Sequence, residues 1–340
     1  MRGPHERPER GGEATVTTIG ERTRPGPDLR QVSETLAAIE ANVASVIEGR
    51  PPAVRLALVT LLAEGHLLIE DVPGVGKTLL ARALARSIDC TVSRIQFTPD
   101  LLPSDVTGVT VYSPDTGRFE FRPGPVFANV VLGDEINRAG PKTQSALLEC
   151  MEERTVTIDG HTHELARPFM VMATQNPIEL EGTYPLPEAQ RDRFLMRVSI
   201  GYPHQDDELE ILRTHGGGDR LAEVGAVTDA KTVVESIVAI RQVAVAEPVE
   251  RYVVALCRAS RAHPDVELGA SPRASLGLLR ASRAAAALGG RDYVVPDDVK
   301  DLAPHVLPHR LILRPEAELA GHDARDVIAD LVDGVPAPTE

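Results

Sequence analysis

The chain has 340 residues, 42% hydrophobic and 25% charged, a globular composition long enough for two domains. Basic side chains number 36 and acidic ones 50, a net charge of -14, which argues against a general nucleic-acid or anionic-membrane surface but leaves room for a local basic pore or groove. Cys90, Cys150 and Cys257 lack CxxC spacing, which excludes a disulfide scaffold or a Cys-rich zinc module. The best apolar run, residues 56–63, falls far short of a bilayer span.

Residues 1–27 are rich in Gly, Pro and charge, show no hydrophobic period and lack the apolar stretch of a secretory signal, so a disordered tail is expected. From Asp28 the residues Leu29, Val32, Leu36, Ile39, Val43 and Ile47 recur at helical spacing. A second helix follows Pro51-Pro52 and runs towards Gly65. Residues 66–70 read as a strand, followed by a Gly-rich turn, a helix over 77–88 and a strand over 91–97. Residues 107–121 predict a hairpin, 129–133 a buried strand, 141–153 an amphipathic helix, and 155–165 a second hairpin turning at Asp159-Gly160. Strands at 169–173 and 197–200 complete five core strands alternating with helices, which implies a parallel α/β sheet. Beyond Pro203 helical segments fit at 204–214, 229–242, 248–262, 272–288 and 296–303. The expected organisation is a tail (1–27), an α/β core (28–203) and a smaller all-helical domain (204–335).

The central motif is Asp71-Val72-Pro73-Gly74-Val75-Gly76-Lys77-Thr78, with Leu79 next, placed after a strand and opening a helix. A phosphate needs converging N–H donors, which a glycine-rich backbone and a helix N-terminus supply. Lys77 would reach the β- and γ-phosphates of ATP, and Thr78 would hold Mg2+. The general pattern has Gly where this chain has Asp71. The apolar string 130–133 ends in Asp134-Glu135. Asp134 would orient Mg2+, and Glu135 would polarise the water that attacks the γ-phosphate. Residues 171–174 form another apolar strand ending in Gln175-Asn176-Pro177, where Asn176 could hold that water. Carboxyl ends of strands are where open α/β sheets bind ligands.

Residues 46–50 (VIEGR), 67–80 (LLIEDVPGVGKTLL), 132–153 (LGDEINRAGPKTQSALLECMEE), 172–177 (MATQNP), 185–194 (PLPEAQRDRF) and 270–274 (ASPRA) resemble the MoxR family of AAA+ ATPases, and the similarity spans about 28–335. The resemblance implies an AAA+ P-loop core with inserted β-hairpins and a small helical lid. It implies that Asn176 is sensor 1, that Arg193 is the arginine finger entering a neighbouring subunit's site, with Arg191 an alternative, and that Arg273 is sensor 2. Ser271 as N-cap and Pro272 at the first helical position put Arg273 in the first turn of a lid helix. Val46 and Ile47 fall in the family's adenine-holding loop. Hairpins of this kind face the ring's pore or partner. His161 and His163 alternate on one side of the second hairpin, but without a third ligand they read as polar hairpin residues.

The expected protein is a cytoplasmic, Mg2+-dependent ATPase working as a homo-oligomeric ring, a hexamer by resemblance. By the same resemblance it remodels or activates a partner protein, often one with a von Willebrand factor A domain, with no nucleic acid or membrane insertion expected. The rivals are a small-molecule kinase, a DNA-remodelling AAA+ motor and a non-hydrolysing ATP-binding scaffold.

Overall fold

The computed structural model describes residues 28–47, 51–72, 74–176, 182–202, 205–214 and 220–338. The tail expected at 1–27, the boundary expected at 203, Pro73, Arg50 and Pro177 lie outside these residues.

Helix α1 (Leu29–Ala44) starts at Asp28, whose carboxylate accepts from the Arg30 N–H at 3.2 Å, and buries Val32, Leu36, Ile39 and Val43 along one stripe. Then come α2 (Pro51–Leu62), β1 (Leu67–Glu70), α3 (Lys77–Ser87) and β2 (Val92–Gln96). A short helix, α4 (Pro103–Thr107), precedes the hairpin β3 (Gly108–Ser113) and β4 (Arg118–Pro123). The core continues through β5 (Val130–Asp134), α5 (Pro141–Glu153), the hairpin β6 (Thr155–Ile158) and β7 (His161–Glu164), β8 (Met170–Gln175), α6 (Glu188–Arg191) and β9 (Met196–Val198).

Five of these strands form one parallel sheet in the order β2-β5-β8-β1-β9. Strand side chains alternate between faces. Leu67, Ile69, Val130, Leu132, Met170 and Met172 therefore join the apolar core built with α1, α2 and α3. Leu68, Val131, Val171 and Ala173 join a second core with Phe97, Leu147 and Leu148. Both faces are covered, which explains why β5 and β8 read as continuous apolar runs rather than alternating ones. Because the strands are parallel and adjacent, the residues following β1, β5 and β8 emerge at the same edge.

Asp159 (φ 50°) and Gly160 (φ 80°) both take the left-handed conformation that a tight two-residue hairpin turn requires. The two hairpins touch where the His163 ring stacks on Phe121 with centroids 4.2 Å apart. His163 is thus an aromatic contact, and among the described residues no His, Cys, Asp and Glu group of three or more could hold a metal.

The remainder comprises α7 (Gln205–Thr214), α8 (Ala230–Ile240), α9 (Glu247–Ala262), β10 (Val266–Leu268), α10 (Pro272–Leu288), α11 (Pro296–Val306), β11 (Ile312–Leu313), α12 (Pro315–Leu319) and α13 (Ala324–Gly334). The helical expectation gains a short antiparallel ribbon, β10 with β11. Leu256, Leu278, Ala281 and Val299 of this region share one apolar core with α1 and α2, so α10 lies directly on the α/β half.

Candidate active site

The loop between β1 and α3 turns on Gly74 (φ 87°) and Gly76 (φ 95°), backbone angles that glycine adopts without a Cβ penalty. Gly76 is the N-cap of α3, supplies no side-chain cap to the helix's first N–H groups, and has open space beside it. This helix start borders a cavity of about 410 Å³ lined by Gly74, Gly76, Lys77, Thr78, Leu79, Arg94, Gln96, Asp134, Glu135, Thr174 and Asn176. That volume lies in the range of small-molecule sites. The Lys77 ammonium folds back onto the Asp71 carbonyl oxygen at 2.9 Å. Burial lowers its pKa, while the negative charges of Asp71, Asp134 and Glu135 oppose the shift.

The Asp71 side chain does not line the cavity. Its buried carboxylate accepts from the backbone N–H of Gly201 at 2.6 Å, from the Ser199 hydroxyl at 3.2 Å and from the Val72 N–H at 3.0 Å. It fastens the loop between β1 and α3 to the chain leaving β9. Val72 is half-buried beside it. Val75 packs partly against the core. Val46 and Ile47 are buried in that core, and neither lines the cavity.

β5 delivers Asp134 and Glu135. The Glu135 backbone sits at φ 59°, left-handed for a non-glycine residue, which costs about 1 kcal/mol or more. Its N–H donates to Thr174 Oγ1 at 2.9 Å, and that hydroxyl donates to Asp134 at 3.3 Å. Thr174 of β8 thereby holds the two acids in place. Glu135 accepts from Gln96 Nε2 at 2.9 Å and lies 3.4 Å from Arg138. Asp134 accepts from Arg94 Nε at 2.6 Å. Asn176, buried just beyond β8, lines the same cavity. Thr78 and Asp134 offer a hydroxyl and a carboxylate, hard oxygen donors that suit Mg2+, a cation normally completed by phosphates and water.

Arg193 and Arg273 are elsewhere. Both pair with one carboxylate, Glu152, at the end of α5: Arg193 Nε at 3.1 Å, and Arg273 in a short contact. They line a second cavity, of about 310 Å³, that shares no residue with the first. Ser271 does stand at the N-cap of α10 with Pro272 after it, but its hydroxyl donates to Asp192 at 3.4 Å instead of capping the helix. Arg191 lies 3.8 Å from Glu188 and opens onto a different hollow with Arg197. Arg310 anchors the segment carrying Arg193, donating to the carbonyl of Phe194 at 2.7 Å.

Sequence reading missed Arg94, Gln96, Glu152 and Arg310. The first two had a signal: they alternate on a strand that ends at the same sheet edge as the motifs. Glu152 and Arg310 had none, because their partners come from distant segments.

A model of the ATPase family associated with various cellular activities (AAA) matches residues 66–196, and one of the AAA lid domain matches 258–331. The chaperone MoxR1 of Mycobacterium tuberculosis is 43% identical over 335 residues, covering 96% of this chain and 85% of its own length. An uncharacterized protein of Bacillus subtilis, YeaC, is 50% identical over 295 residues, covering 87% and 92%. A crystal structure described as a candidate ATPase of Cytophaga hutchinsonii matches with a TM-score of 0.86 at 39% identity, covering 92% of this chain and 97% of that one. With core and lid both matched and relatives this similar along most of its length, the chain belongs to the MoxR family of AAA+ ATPases and is itself an ATPase.

Proposed function

We propose that this chain is the Mg2+-dependent motor of a cytoplasmic ring of identical copies, six in the simplest form, which hydrolyses ATP to ADP and phosphate to remodel or activate a partner protein. Gly74, Gly76 and Lys77 cradle the phosphates. Thr78 and Asp134 supply oxygens for Mg2+, which when bound would neutralise phosphate charge. Glu135 takes a proton from the attacking water, and Asn176 orients it. Arg193 and Arg273 come from the adjoining copy and offset the charge on the transferring phosphoryl group. Residues 28–203 and 204–335 act as the core and lid that move against each other.

One observation carries this reading: the phosphate loop and the two family-matched arginines line separate cavities of the same chain. A single copy thus offers two halves of a site, and a head-to-tail ring brings unlike halves together. The chaperone name of MoxR1 supports protein remodelling as the work done. Family resemblance points to a client with a von Willebrand factor A domain. The test is phosphate release per protomer against protein concentration, with Mg-ATP and no partner. Specific activity that climbs with concentration supports completion between copies. Measurable, flat activity from a chain whose mass stays that of a monomer contradicts it.

A further inference from the structure

Gln144 stands in the first turn of α5 and is 1% exposed. Its neighbours one turn on, Leu147 and Leu148, are buried apolar residues, so packing alone would be served by another leucine at 144. Burying a primary amide costs free energy unless its N–H groups find acceptors. The Gln144 side chain finds three: Nε2 donates to the carbonyls of Ile136 at 3.2 Å, Ala139 at 3.1 Å and Tyr184 at 2.9 Å. Two N–H bonds thus serve three backbone oxygens.

Two of those oxygens belong to the turn that follows Glu135. Residues 136–138 form a single 3-10 turn, closed by the Arg138 N–H on the Glu135 carbonyl at 2.9 Å and by a long bond, 3.4 Å, from the Ala139 N–H to the Ile136 carbonyl. The hydrogen-bond geometry of a 3-10 turn is poor, so its own bonds hold it weakly. Yet this turn has to keep Glu135 at φ 59°, a conformation that persists only where the surroundings over-determine it.

The surroundings do so from two sides. Towards β8, Thr174 Oγ1 accepts the Glu135 N–H at 2.9 Å. Towards α5, Gln144 grips the carbonyls of Ile136 and Ala139, the two ends of the turn. The middle is held as well: the Tyr184 N–H donates to the Asn137 carbonyl at 2.6 Å, and Gln144 in turn holds the Tyr184 carbonyl. Gln144 itself does not line the cavity that contains Glu135.

We propose that Gln144 is a positioning residue for ATP hydrolysis. Its amide fixes the turn after Glu135 and so keeps that carboxylate where it takes the proton of the attacking water. The proposal rests on the reading of Glu135 as the base. Nucleotide affinity is not its target, because the groups proposed to hold the phosphates come from the loop between β1 and α3. Misplacing a catalytic group by about 1 Å costs on the order of a hundredfold in rate.

The test is a double-mutant cycle on the full chain. It reads ATP affinity and phosphate release with saturating Mg-ATP, at a protein concentration where wild-type specific activity no longer changes. Gln144→Met keeps the length of the side chain and removes both donors. It should bind ATP within about threefold of wild type and hydrolyse it about tenfold or more slower. In a chain already carrying Glu135→Gln, the same substitution should change the residual rate by less than about twofold, since no base is left to misplace. Gln144→Glu adds a readout that packing alone would not move. Only its protonated carboxyl can donate to a carbonyl, so its rate relative to wild type should rise between about pH 8 and about pH 6. If the far-UV spectrum shows that Gln144→Met does not fold, Gln144→Glu takes its place in the cycle. Full hydrolysis by the Gln144 variant, or an equal fractional loss with and without Glu135, overturns the proposal. If Glu135→Gln is itself inactive in that case, the base reading survives; Glu135→Gln working at the wild-type rate removes both.

Discussion

Arg94 donates to the carboxylate of Asp134 at 2.6 Å, so the acid proposed to hold Mg2+ already carries a counter-ion on the edge strand beside it. The Arg94 side chain is half exposed, which limits such a pair to about 1 kcal/mol or less. Mg2+ and Arg94 then compete for one carboxylate. Arg94→Met should lower the Mg2+ concentration that half-saturates nucleotide binding by about twofold to fivefold. Calorimetric titration of nucleotide at stepped Mg2+ reads this directly. A raised Mg2+ requirement would show that Arg94 supports the metal site instead of opposing it.

Lys77 and Glu135 line the same cavity but should fail differently. Lys77→Ala removes the ammonium proposed to reach the phosphates and should abolish ATP binding. Glu135→Gln keeps the shape and the Gln96 contact as a neutral amide, so it should still bind ATP while hydrolysis falls about a hundredfold or more. Equilibrium binding and phosphate release, measured on both variants, separate the roles. Hydrolysis by Glu135→Gln at the wild-type rate would remove Glu135 from the chemistry.

Asp71 ties the loop between β1 and α3, proposed to hold the phosphates, to Ser199 and Gly201, immediately after β9. Hydrogen bonds to a charged group are worth about 1.5–3 kcal/mol. Asp71→Ala should therefore lower unfolding stability by about that amount. It should also weaken nucleotide binding without touching the cavity lining. Chemical denaturation checks the first effect, and a stability unchanged within error would contradict the anchoring role.

The buried His66 accepts from the Val171 N–H at 3.0 Å and lies 2.9 Å from the Met151 carbonyl. Desolvation holds its pKa down to about 4, so it is neutral in the folded protein at pH 7. Between pH 6.5 and 4 the unfolded chain binds a proton that the folded chain refuses, so stability falls as pH falls through that window. From pH 7 to 5 the loss from this residue is about 2 kcal/mol. His66→Gln should flatten that part of the stability–pH curve, read from urea midpoints, although its absolute stability will drop. A slope as steep as wild type would assign the acid sensitivity elsewhere; His309, also buried and depressed, is next in line.

What was legible in the sequence is what chain-local physics determines. The strand–loop–helix of residues 67–87 shows in its glycines and the helix α5 in its apolar stripe. The hairpin turn shows in Asp159-Gly160, which demands left-handed angles. The lid's last helix is absent from the helices expected from the sequence. α13 opens on a capping box of Asp323 and Asp326, where an Asp replaces the usual Glu or Gln. The hydroxyl of Ser271 illustrates the opposite failure: the local cap signal is right in position, but Asp192, 79 residues away, takes the hydroxyl. The shared hold of Glu152 on Arg193 and Arg273, from two parts of the chain, exists only once α10 has packed against the core. Such pairings depend on the tertiary arrangement, and no spacing rule in one sequence encodes them.

Mixing two disabled variants tests the between-copies site most directly. Glu135→Gln lacks the base but retains Arg193, and Arg193→Ala lacks the finger but retains Glu135. Each alone should hydrolyse ATP at well under a tenth of the wild-type rate, following the large losses typical of either group. Combined in equal amounts and allowed to exchange, they should recover up to about a quarter of wild-type activity, because one interface in four joins an intact Glu135 to an intact Arg193 in a head-to-tail ring. A mixture no more active than the mean of its two components, in rings shown by mass to contain both, would contradict a site shared between copies.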